Sequence, residues 1–329
     1  MAYAEISGEF TGLMKISIIV PVYNEEESIP ELHSELTAVI DRERWDAEIV
    51  MVDDGSTDQS ATIIAQIAAR DPRVRLVRFA RNFGQTAAIL AGIDHSEGEV
   101  IVPMDADLQN DPNDIPRLTA LIEQGYDVVS GWRKNRKDRL WTRRVPSMLA
   151  NGLISRWTGV ELHDYGCTLK AYRSTVVKGQ QLYGEMHRFI PIYASARGGK
   201  IRELEVNHRP RRFGTSKYGL GRTFKVLLDL LTVKFLSGYT TKPAYVFGGI
   251  GLTLIGAGAV CALGTIIEWL VWDTWKHKMT VMMLAAFFVT NGVVLLCIGL
   301  LSELTVRIYH GQEHRKTYVL ASELRRDGE

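Results

Sequence analysis

The alternation of polar and apolar positions divides the chain into two parts. Before Pro243, short apolar runs alternate with polar turns and with segments whose apolar residues recur at helical spacing. After that point two stretches, Pro243–Ile267 and Met279–Ser302, lack Asp, Glu, Lys and Arg. Each has about 24 residues, and a helix of that length crosses a hydrocarbon layer about 30 Å thick. The pattern predicts a water-soluble domain followed by two transmembrane helices.

Five apolar runs in the first part predict β-strands, because they are rich in β-branched residues and do not alternate in polarity. These runs are Ile16–Val22, Glu48–Val52, Val74–Phe79, Glu99–Met104 and Asp127–Ser130. Helical segments separate them, one of them near Gln85–Asp94 and another opened by Asp111-Pro112. Such alternation is typical of an α/β fold with a mostly parallel, doubly wound, Rossmann-like sheet. Ligands of such sheets bind beyond the carboxyl ends of the strands.

The residues that flank the two spans predict their orientation. Lysines precede the first span, basic residues follow the second, and the short connector Glu268–Lys278 holds three tryptophans suited to a membrane interface. We therefore expect an integral protein of the plasma (inner) membrane, with both termini and the soluble domain in the cytoplasm. Core helices of a soluble protein are the alternative, which the length, glycine content and aromatic flanks disfavour.

These patterns predict five consecutive regions. The segment Arg222–Leu236 has an apolar face bordered by lysines, so it is interpreted as a helix in the membrane interface, with a helix packed on the soluble domain as the alternative. The regions are a leader at 1–14, the α/β domain at 15–221, an interfacial amphipathic helix at 222–242, a transmembrane hairpin at 243–303 and a cytoplasmic tail at 304–329. Glycines in the first span would allow close helix packing, so a homo-oligomer stays open.

A net charge of +1 conceals two basic clusters. Seven basic residues against one acid lie between Arg133 and Arg144, and a second basic stretch runs from Arg197 to Lys225. Such clusters suit phosphates, nucleic acid or acidic lipid head groups. Beside a membrane we expect no nucleic acid among the partners. The three cysteines form neither a disulfide framework nor a zinc pattern.

Acidic pairs follow two of the predicted strands. Asp105 and Asp107 could bind a hard divalent cation such as Mg²⁺ or Mn²⁺, and Gln109 could add an oxygen. A lone pair of this kind is more often a solvated turn, but here it follows a buried strand. Of Asp53 and Asp54, one could hydrogen-bond a base or ribose, with Asp53 favoured, whereas capping of the following helix is the alternative role for one of them. Glycine-rich dinucleotide and P-loop motifs are absent from the sequence.

Three runs of residues, in this order and spacing, carry a resemblance to a known family. They are Ile18-Ile19-Val20-Pro21-Val22-Tyr23-Asn24-Glu25-Glu26, Val52-Asp53-Asp54-Gly55-Ser56-Thr57-Asp58 and Met104-Asp105-Ala106-Asp107-Leu108-Gln109. The chain resembles the inverting glycosyltransferases of family 2, which have the GT-A fold. Among them it is similar to the polyprenyl-phosphate glycosyltransferases, relatives of dolichol-phosphate mannose synthase and of the bactoprenol glucosyltransferases. The resemblance covers nearly the whole chain from Lys15, paired spans included.

The resemblance implies roles for individual residues. Donor nucleotide sugar would be bound by Pro21, Tyr23, Asn24, Glu25, Asp53, Asp105, Arg212, Ser216 and Lys217, the last three in a mobile loop at His208–Tyr218. Mg²⁺ or Mn²⁺ would be bound by Asp105, Asp107 and Gln109. The acceptor phosphate would be bound by Arg133, Arg143, Arg144 and Ser147. Asp107 would be catalytic, and Asp164 occupies the place of a catalytic base. Because a phosphomonoester is mostly dianionic at pH 7, Asp164 could instead orient the acceptor or stabilise the arginines.

The implied reaction is metal-dependent transfer of one hexose, with inversion, from a nucleotide sugar to polyprenyl (undecaprenyl) phosphate at the cytoplasmic face. UDP-glucose is the first expectation for the donor, with GDP-mannose or a modified pentose donor as alternatives. Residues 184–189 lack the Q-x-x-R-W motif of processive relatives, which argues against polymer synthesis. A non-catalytic membrane scaffold that binds nucleotide sugar is the alternative from another class.

Overall fold

The computed structural model describes residues 14–134, 151–180 without 153 and 157, 184, 186–210, 212, 243–272, 278–311 and 320–324. The described residues fall into two compact units. One contains the β-sheet and its helices, and the other contains the two long C-terminal helices.

The first unit alternates strands and helices along most of its length. Its strands are β1 Ile16–Val22, β2 Ala47–Asp53, β3 Val74–Phe79, β4 Val100–Pro103, β5 Val128–Trp132, β6 Lys170–Arg173, β7 Ile201–Glu205 and β8 Leu320–Leu324. Its α-helices are α1 Ile29–Glu43, α2 Ser60–Ala68, α3 Gln85–Asp94, α4 Ile115–Glu123, α5 Ser174–Val177 and α6 Ile190–Ala196. Two 3₁₀ turns, Pro112–Asp114 and Met186–Phe189, precede α4 and α6.

The strands form one mixed sheet in the order β7-β5-β6-β4-β1-β2-β3-β8. The pairs β1–β2, β1–β4, β2–β3 and β5–β7 are parallel, and those made by β6 and β8 are antiparallel. The five predicted strands are confirmed to within one or two residues at their ends. The sequence did not predict β6, β7 or β8, and β8 lies in the segment assigned to a tail.

The continuous apolar runs predicted a sheet buried on both faces, and the central strands are buried in this way. Every residue of β2 is buried, as is every residue of β1 except the half-buried Pro21. Helix α3 packs closely over β1, because a Cβ on Gly92 would lie 2.2 Å from Cγ2 of Ile19. Only glycine at position 92 permits this approach, which fixes the height of α3 above the sheet.

The parallel register brings the ends of three neighbouring strands to one edge. Val22 pairs with Asp53 across β1 and β2, and Ile19 pairs with Pro103 across β1 and β4. The amide of Met104 also donates to the carbonyl of Ile19 at 2.9 Å. The loops that follow β1, β2 and β4 therefore lie side by side, as the sequence predicted.

The second unit consists of two long helices, α7 Pro243–Trp272 and α8 Lys278–Gly311. Within them, residues 247–271 and 279–302 are long and apolar enough to cross a membrane. Only 17% and 11% of the tested windows are buried, unlike the core helices of a soluble protein. Both helices continue past the predicted spans, and α8 extends into the segment assigned to the tail.

Glycines set the contact between α7 and α8. A Cβ on Gly251 would lie 2.7 Å from the carbonyl oxygen of Gly292, and one on Gly258 would lie 2.8 Å from that of Ala285. Residue numbers increase along α7 while those of the contacting residues of α8 decrease, so the two helices are antiparallel. Small residues at these positions let the backbones touch.

Several predicted features lie outside the described residues. They are the leader before Met14, the interfacial helix at 222–242 and the connector residues 273–277.

Candidate active site

The loops after β1 and β2 hold each other through side-chain hydrogen bonds. The amide of Asn24 donates to Oγ of Ser56 at 3.0 Å, and the Asn24 side-chain oxygen accepts from the amide of Thr57 at 2.8 Å. The amide of Glu25 donates to Oγ of Ser60 at 2.9 Å. Asn24 has φ 52°, in the left-handed region that Asn tolerates better than most residues. These hydrogen bonds hold the predicted donor-binding residues Asn24 and Glu25 against the loop that follows Asp53.

Asp53 lies at the end of β2 with its side chain fully buried. Its Oδ1 accepts from the amide of Ser56 at 3.1 Å. Its Oδ2 is buried, makes no hydrogen bond among the described residues, and lies 3.5 Å from Nε of Arg78. Buried acceptors are rarely left without a donor in native structures. Asp53 therefore has acceptor capacity to offer the N–H or O–H group of a ligand.

Asp54 contacts the turn before α3 and has a structural role there. Its carboxylate accepts from the amide of Phe83 at 2.7 Å, the amide of Gly84 at 3.0 Å and Nδ2 of Asn82 at 3.0 Å. Burial raises the pKa of Asp54 to about 6, against the opposing effect of the two amides. Asp54 therefore holds the turn before α3. The cap residue of α2 is Gln59, which makes no side-chain cap hydrogen bond.

The loop after β4 carries the predicted metal ligands. Asp105 and Asp107 are both half-buried. Oδ1 of Asp105 accepts from Nε2 of Gln85 at 2.7 Å, and Oδ1 of Asp107 accepts from the amide of Gln109 at 3.1 Å. Leu108, between Asp107 and Gln109, has φ 60°. This backbone conformation is unusual for a leucine, and such strained residues are common at functional sites.

The donor set of this loop fits a small hard cation. Among the described residues, no group of three or more His, Cys, Asp or Glu side chains could hold a metal by itself. Mg²⁺ and Mn²⁺ are commonly bound by one or two carboxylates together with substrate phosphates. Asp105 and Asp107 supply two carboxylates at the edge where a ligand would bind, so they suit a cation that arrives with a diphosphate.

The segment after β7 packs against the same loop. His208 forms an isolated antiparallel bridge with Asn110, and the amide of Arg209 donates to the carbonyl of Gln109 at 2.8 Å. The Arg209 guanidinium also contacts Asp111 at 2.7 Å. The start of the predicted mobile loop is therefore anchored beside the acidic pair.

Arg133 and Asp164 form a buried two-point ion pair. Nε and Nη2 of Arg133 donate to the two Asp164 oxygens at 2.7 and 3.0 Å. Burial opposes the charge of Arg133, but the Asp164 carboxylate outweighs it and raises the arginine pKa above its ordinary value. Asp105 also raises it. Because β6 is antiparallel to both β4 and β5, Asp105 after β4 and Arg133 after β5 lie at the same edge of the sheet.

Glu203 on β7 holds the segment that carries Asp164. Its Oε1 accepts from the amides of His163 at 2.8 Å and Asp164 at 3.1 Å, and its Oε2 contacts Nδ1 of His163 at 2.7 Å. The His163 ring stacks on Trp132 at the end of β5, with the centroids 4.3 Å apart. The His163 side chain is therefore held in place by Glu203 and Trp132.

Two further cationic side chains lie around Asp164. A Cβ on Gly166 would lie 3.4 Å from Nη2 of Arg133 and 3.6 Å from Nη1 of Arg188. Lys170 is 2% exposed and donates to the carbonyl of Tyr165 at 3.1 Å. Burial lowers the pKa of Lys170 to about 8. Three cationic side chains, those of Arg133, Lys170 and Arg188, thus lie near the end of β5 and the start of β6, an arrangement that suits a phosphate.

The structure brings together part of the predicted site. Arg133 lies at the same sheet edge as the adjacent loops that carry Pro21, Tyr23, Asn24, Glu25, Asp53, Asp105, Asp107 and Gln109. Arg212 is exposed and forms an ion pair with Glu31 on α1. Arg143, Arg144, Ser147, Ser216 and Lys217 lie outside the described residues.

Sequence reasoning did not assign roles to Gln85, Lys170, Arg188 or Glu203. Lys170 had a local signal, since a lysine begins a short apolar strand where burial would require a role for its charge. Gln85 follows Gly84, which has φ 93° and lies in a polar turn. In the sequence this pattern indicates the start of a helix and gives no sign of the contact with Asp105. The partners of Arg188 and Glu203 come from distant parts of the chain.

Comparisons with known proteins find matches over most of the chain. The model of the family described as glycosyl transferase family 2 matches residues 17–179. A dodecaprenyl-phosphate galacturonate synthase of Rhizobium johnstonii is 41% identical over 318 residues, covering 93% of this chain and 92% of that protein. An undecaprenyl-phosphate 4-deoxy-4-formamido-L-arabinose transferase of Pseudomonas fluorescens is 41% identical over 312 residues, covering 94% and 90%.

A solved structure supports the fold alone. Glucosyl-3-phosphoglycerate synthase from Mycobacterium tuberculosis, in complex with Mn²⁺, UDP and glucosyl-3-phosphoglycerate, superposes with a TM-score of 0.55. It is 20% identical, and the match covers 67% of this chain and 80% of that one. The expected GT-A fold is confirmed by this likeness together with the family match.

Proposed function

We propose that this chain, which belongs to glycosyl transferase family 2, transfers a single sugar from a nucleotide sugar to a polyprenyl phosphate at a membrane. Both relatives named above are polyprenyl-phosphate sugar transferases by name, and each matches this chain over at least nine-tenths of its length. The two apolar helices would hold the enzyme where such a lipid acceptor resides. The predicted cytoplasmic orientation at the inner membrane is part of the proposal.

One observation carries this function. The donor-side carboxylate of Asp105 follows β4 and the acceptor-side guanidinium of Arg133 follows β5, and both lie at the same edge of the sheet because β6, between these strands, is antiparallel to each of them. A transferase must place a leaving diphosphate and an attacking phosphate on opposite sides of the same carbon. A cation bound by carboxylates would hold the donor diphosphate on one side of that carbon, and arginines would hold the acceptor phosphate on the other side.

The donor would occupy the edge formed by the loops after β1, β2 and β4. Asp53 would accept a hydrogen bond from the base or ribose through its buried Oδ2. Asp105, Asp107 and Gln109 would bind Mg²⁺ or Mn²⁺ together with the diphosphate. When bound, the cation supplies electrostatic stabilisation of the negative charge that grows on the leaving nucleoside diphosphate. Ser216 and Lys217, with Arg212, remain predicted donor contacts.

The acceptor would occupy the basic region beyond β5. Arg133, with one face bound to Asp164, would present its other Nη group to the lipid phosphate, and Arg143, Arg144 and Ser147 remain predicted partners. A phosphate oxygen attacks the anomeric carbon as the bond to the donor diphosphate breaks, and the configuration inverts. With a second pKa near 6, the phosphate is mostly dianionic at pH 7 and loses no proton in the attack.

Asp164 fits the role of orienting Arg133 better than that of a base. Its two oxygens accept from Arg133, and Oδ1 also accepts from the amide of Gly166 at 3.1 Å. These donors stabilise the charged carboxylate and occupy its lone pairs. The alternative that Asp164 stabilises the arginines is therefore the one we propose.

The transferred sugar is proposed from the relatives rather than from the pocket. UDP-glucose, the first expectation, finds no support in their names, which specify galacturonate and 4-deoxy-4-formamido-L-arabinose. We therefore favour a uronic acid or a modified pentose as the transferred sugar. UDP-glucose and GDP-mannose serve as comparison donors.

Protection against thermal unfolding tests the donor assignment. The full chain in detergent would be heated with Mn²⁺ and one of four donors: UDP-galacturonate, UDP-4-deoxy-4-formamido-L-arabinose, UDP-glucose or GDP-mannose. We expect one of the first two to raise the melting temperature most, because binding to the folded state stabilises it. Equal protection by all four, without transfer to lipid, would favour a non-catalytic scaffold.

A further inference from the structure

Gln85 is the first residue of α3, and its side chain contacts a predicted metal ligand. Its Nε2 donates to Oδ1 of Asp105 at 2.7 Å. A hydrogen bond to an ionised acceptor is shorter and stronger than one between neutral groups. This contact limits the rotation of the Asp105 carboxylate at the tip of β4.

The backbone on the N-terminal side of Gln85 is held by the loop after β2. Asp54 accepts from the amides of Phe83 and Gly84, as described above. A Cβ on Gly55 would lie 2.4 Å from the backbone carbon of Arg81, so the two turns touch through their backbones. The loop that carries Asp53 therefore also fixes the start of α3.

Two contacts on the helix itself complete the support. Oγ1 of Thr86 lies 2.6 Å from Nδ1 of His187 and donates to the carbonyl of Gly184. Two turns further on, Gly92 packs against Ile19 of β1. Gln85 thus extends from a helix that is fixed at its first turn and along its body.

We infer that Gln85 is a positioning residue of the donor site, which holds the Asp105 carboxylate in the orientation that binds the divalent cation and the donor diphosphate. Asp54 acts indirectly, because it fixes the turn that precedes Gln85. The inference rests on the proposed function, because it assigns Asp105 to the cation.

The chemistry of glutamine suits this task. A lysine at position 85 would hold Asp105 but would also offset the negative charge that attracts the cation. A glutamate would repel Asp105, and an apolar residue would donate no hydrogen bond to it. A neutral amide donor orients the carboxylate and leaves its charge intact. Partners of this kind behind metal ligands commonly affect metal affinity by roughly 10- to 100-fold.

Cation binding can be measured directly with the full chain in detergent. The decrease of the free Mn²⁺ signal in electron paramagnetic resonance would be followed in the presence of UDP. The variants are Gln85→Met, similar in length but without a donor, and Gln85→Asn, which keeps the donor but shortens its reach. Gln124→Met, at the exposed end of α4, is the matched control.

We expect Gln85→Met to weaken Mn²⁺ binding by roughly 10- to 100-fold, Gln85→Asn to weaken it in the same direction, and Gln124→Met to leave it unchanged. Melting temperatures measured without ligand should stay close to that of the wild type, because Gln85 is only half-buried. In an Asp105→Ala background, Gln85→Met should cause no additional loss. A merely structural role would instead change the melting temperature in both backgrounds.

Two results would overturn the inference in distinguishable ways. If the wild type binds Mn²⁺ with UDP and Gln85→Met binds it equally well, the positioning role of Gln85 is wrong and the proposed function stands. If the wild type neither binds Mn²⁺ with UDP nor forms glycosylated lipid, both the proposed function and this inference are wrong.

Discussion

The guanidinium of Arg133 and the carboxylate of Asp164 meet through two hydrogen bonds of 2.7 and 3.0 Å. The side chains are 13% and 4% exposed, so both charges are largely removed from water. A buried charge is tolerated when its partner is present and costs several kcal/mol when it is not. The stability of the folded domain therefore depends on both charged side chains being present.

Removing only the carboxylate should destabilise the soluble domain. We predict that Asp164→Ala lowers the free energy of unfolding by about 3–5 kcal/mol, because Arg133 is left as an uncompensated buried charge. The measurement is denaturant unfolding of the detergent-solubilised protein. The double variant Arg133→Met/Asp164→Ala leaves no uncompensated charge and should be more stable than Asp164→Ala. If the losses of Arg133→Met and Asp164→Ala were instead additive in the double variant, the pair would not be coupled in the way we describe.

Removing the second acid of the β4 loop should affect turnover and not folding. Asp107 is half-buried, and its Oδ1 accepts from the amide of Gln109. We predict that Asp107→Ala lowers kcat on the order of 10²- to 10³-fold, a range typical of losing electrostatic stabilisation of a transition state. Membrane insertion should be unchanged, and Glu123→Ala, an exposed acid at the end of α4, is the control. Near-normal turnover in Asp107→Ala would remove its role at the cation.

Asp54 should make stability depend on pH in a defined window. Burial raises its pKa from 3.8 to about 6 in the folded chain, so between these values the folded state binds more protons than the unfolded state. The stability it contributes is therefore full below about pH 4 and is lost as the pH rises through 6. We predict that the melting temperature of Asp54→Asn falls less steeply than that of the wild type between pH 4 and 6.5. Parallel pH profiles would contradict this assignment.

Packing of the two apolar helices should depend on particular glycines. A Cβ on Gly251 would lie 2.7 Å from a backbone oxygen of α8, whereas one on Gly256 would meet nothing within 4 Å. We predict that Gly251→Ala destabilises the hairpin by about 1–3 kcal/mol, as overpacking does elsewhere, while Gly256→Ala is neutral. Thermal unfolding in micelles compares the two, and an equal effect of both would contradict the observed helix contact.

Local patterns predicted the central sheet and the long helices well. Continuous apolar runs such as those of β1 and β2 specify buried strands by themselves. The strands β6 and β8 are short and contain polar or charged residues, and each pairs with a strand distant in the sequence. Their position depends on long-range pairing that no local periodicity encodes.

The candidate site was predictable to the extent that its residues follow strand ends. Asp53 and Asp105 were found in this way, because parallel strands align their carboxyl ends. The pairing of Arg133 with Asp164 arises because β6 lies beside β5 in the sheet. The contact of Gln85 with Asp105 likewise depends on how α3 packs over β1. Both relationships require the tertiary structure.

The most direct measurement is lipid glycosylation by the purified full chain. It would be incubated with a radiolabelled nucleotide sugar, undecaprenyl phosphate and Mn²⁺, then extracted with chloroform, with Asp107→Ala and Glu123→Ala measured in parallel. The account predicts label in a chloroform-soluble product, labile to mild acid, for the wild type and Glu123→Ala and not for Asp107→Ala. If the wild type binds nucleotide sugar but forms no labelled lipid with any donor tested, the central claim is contradicted.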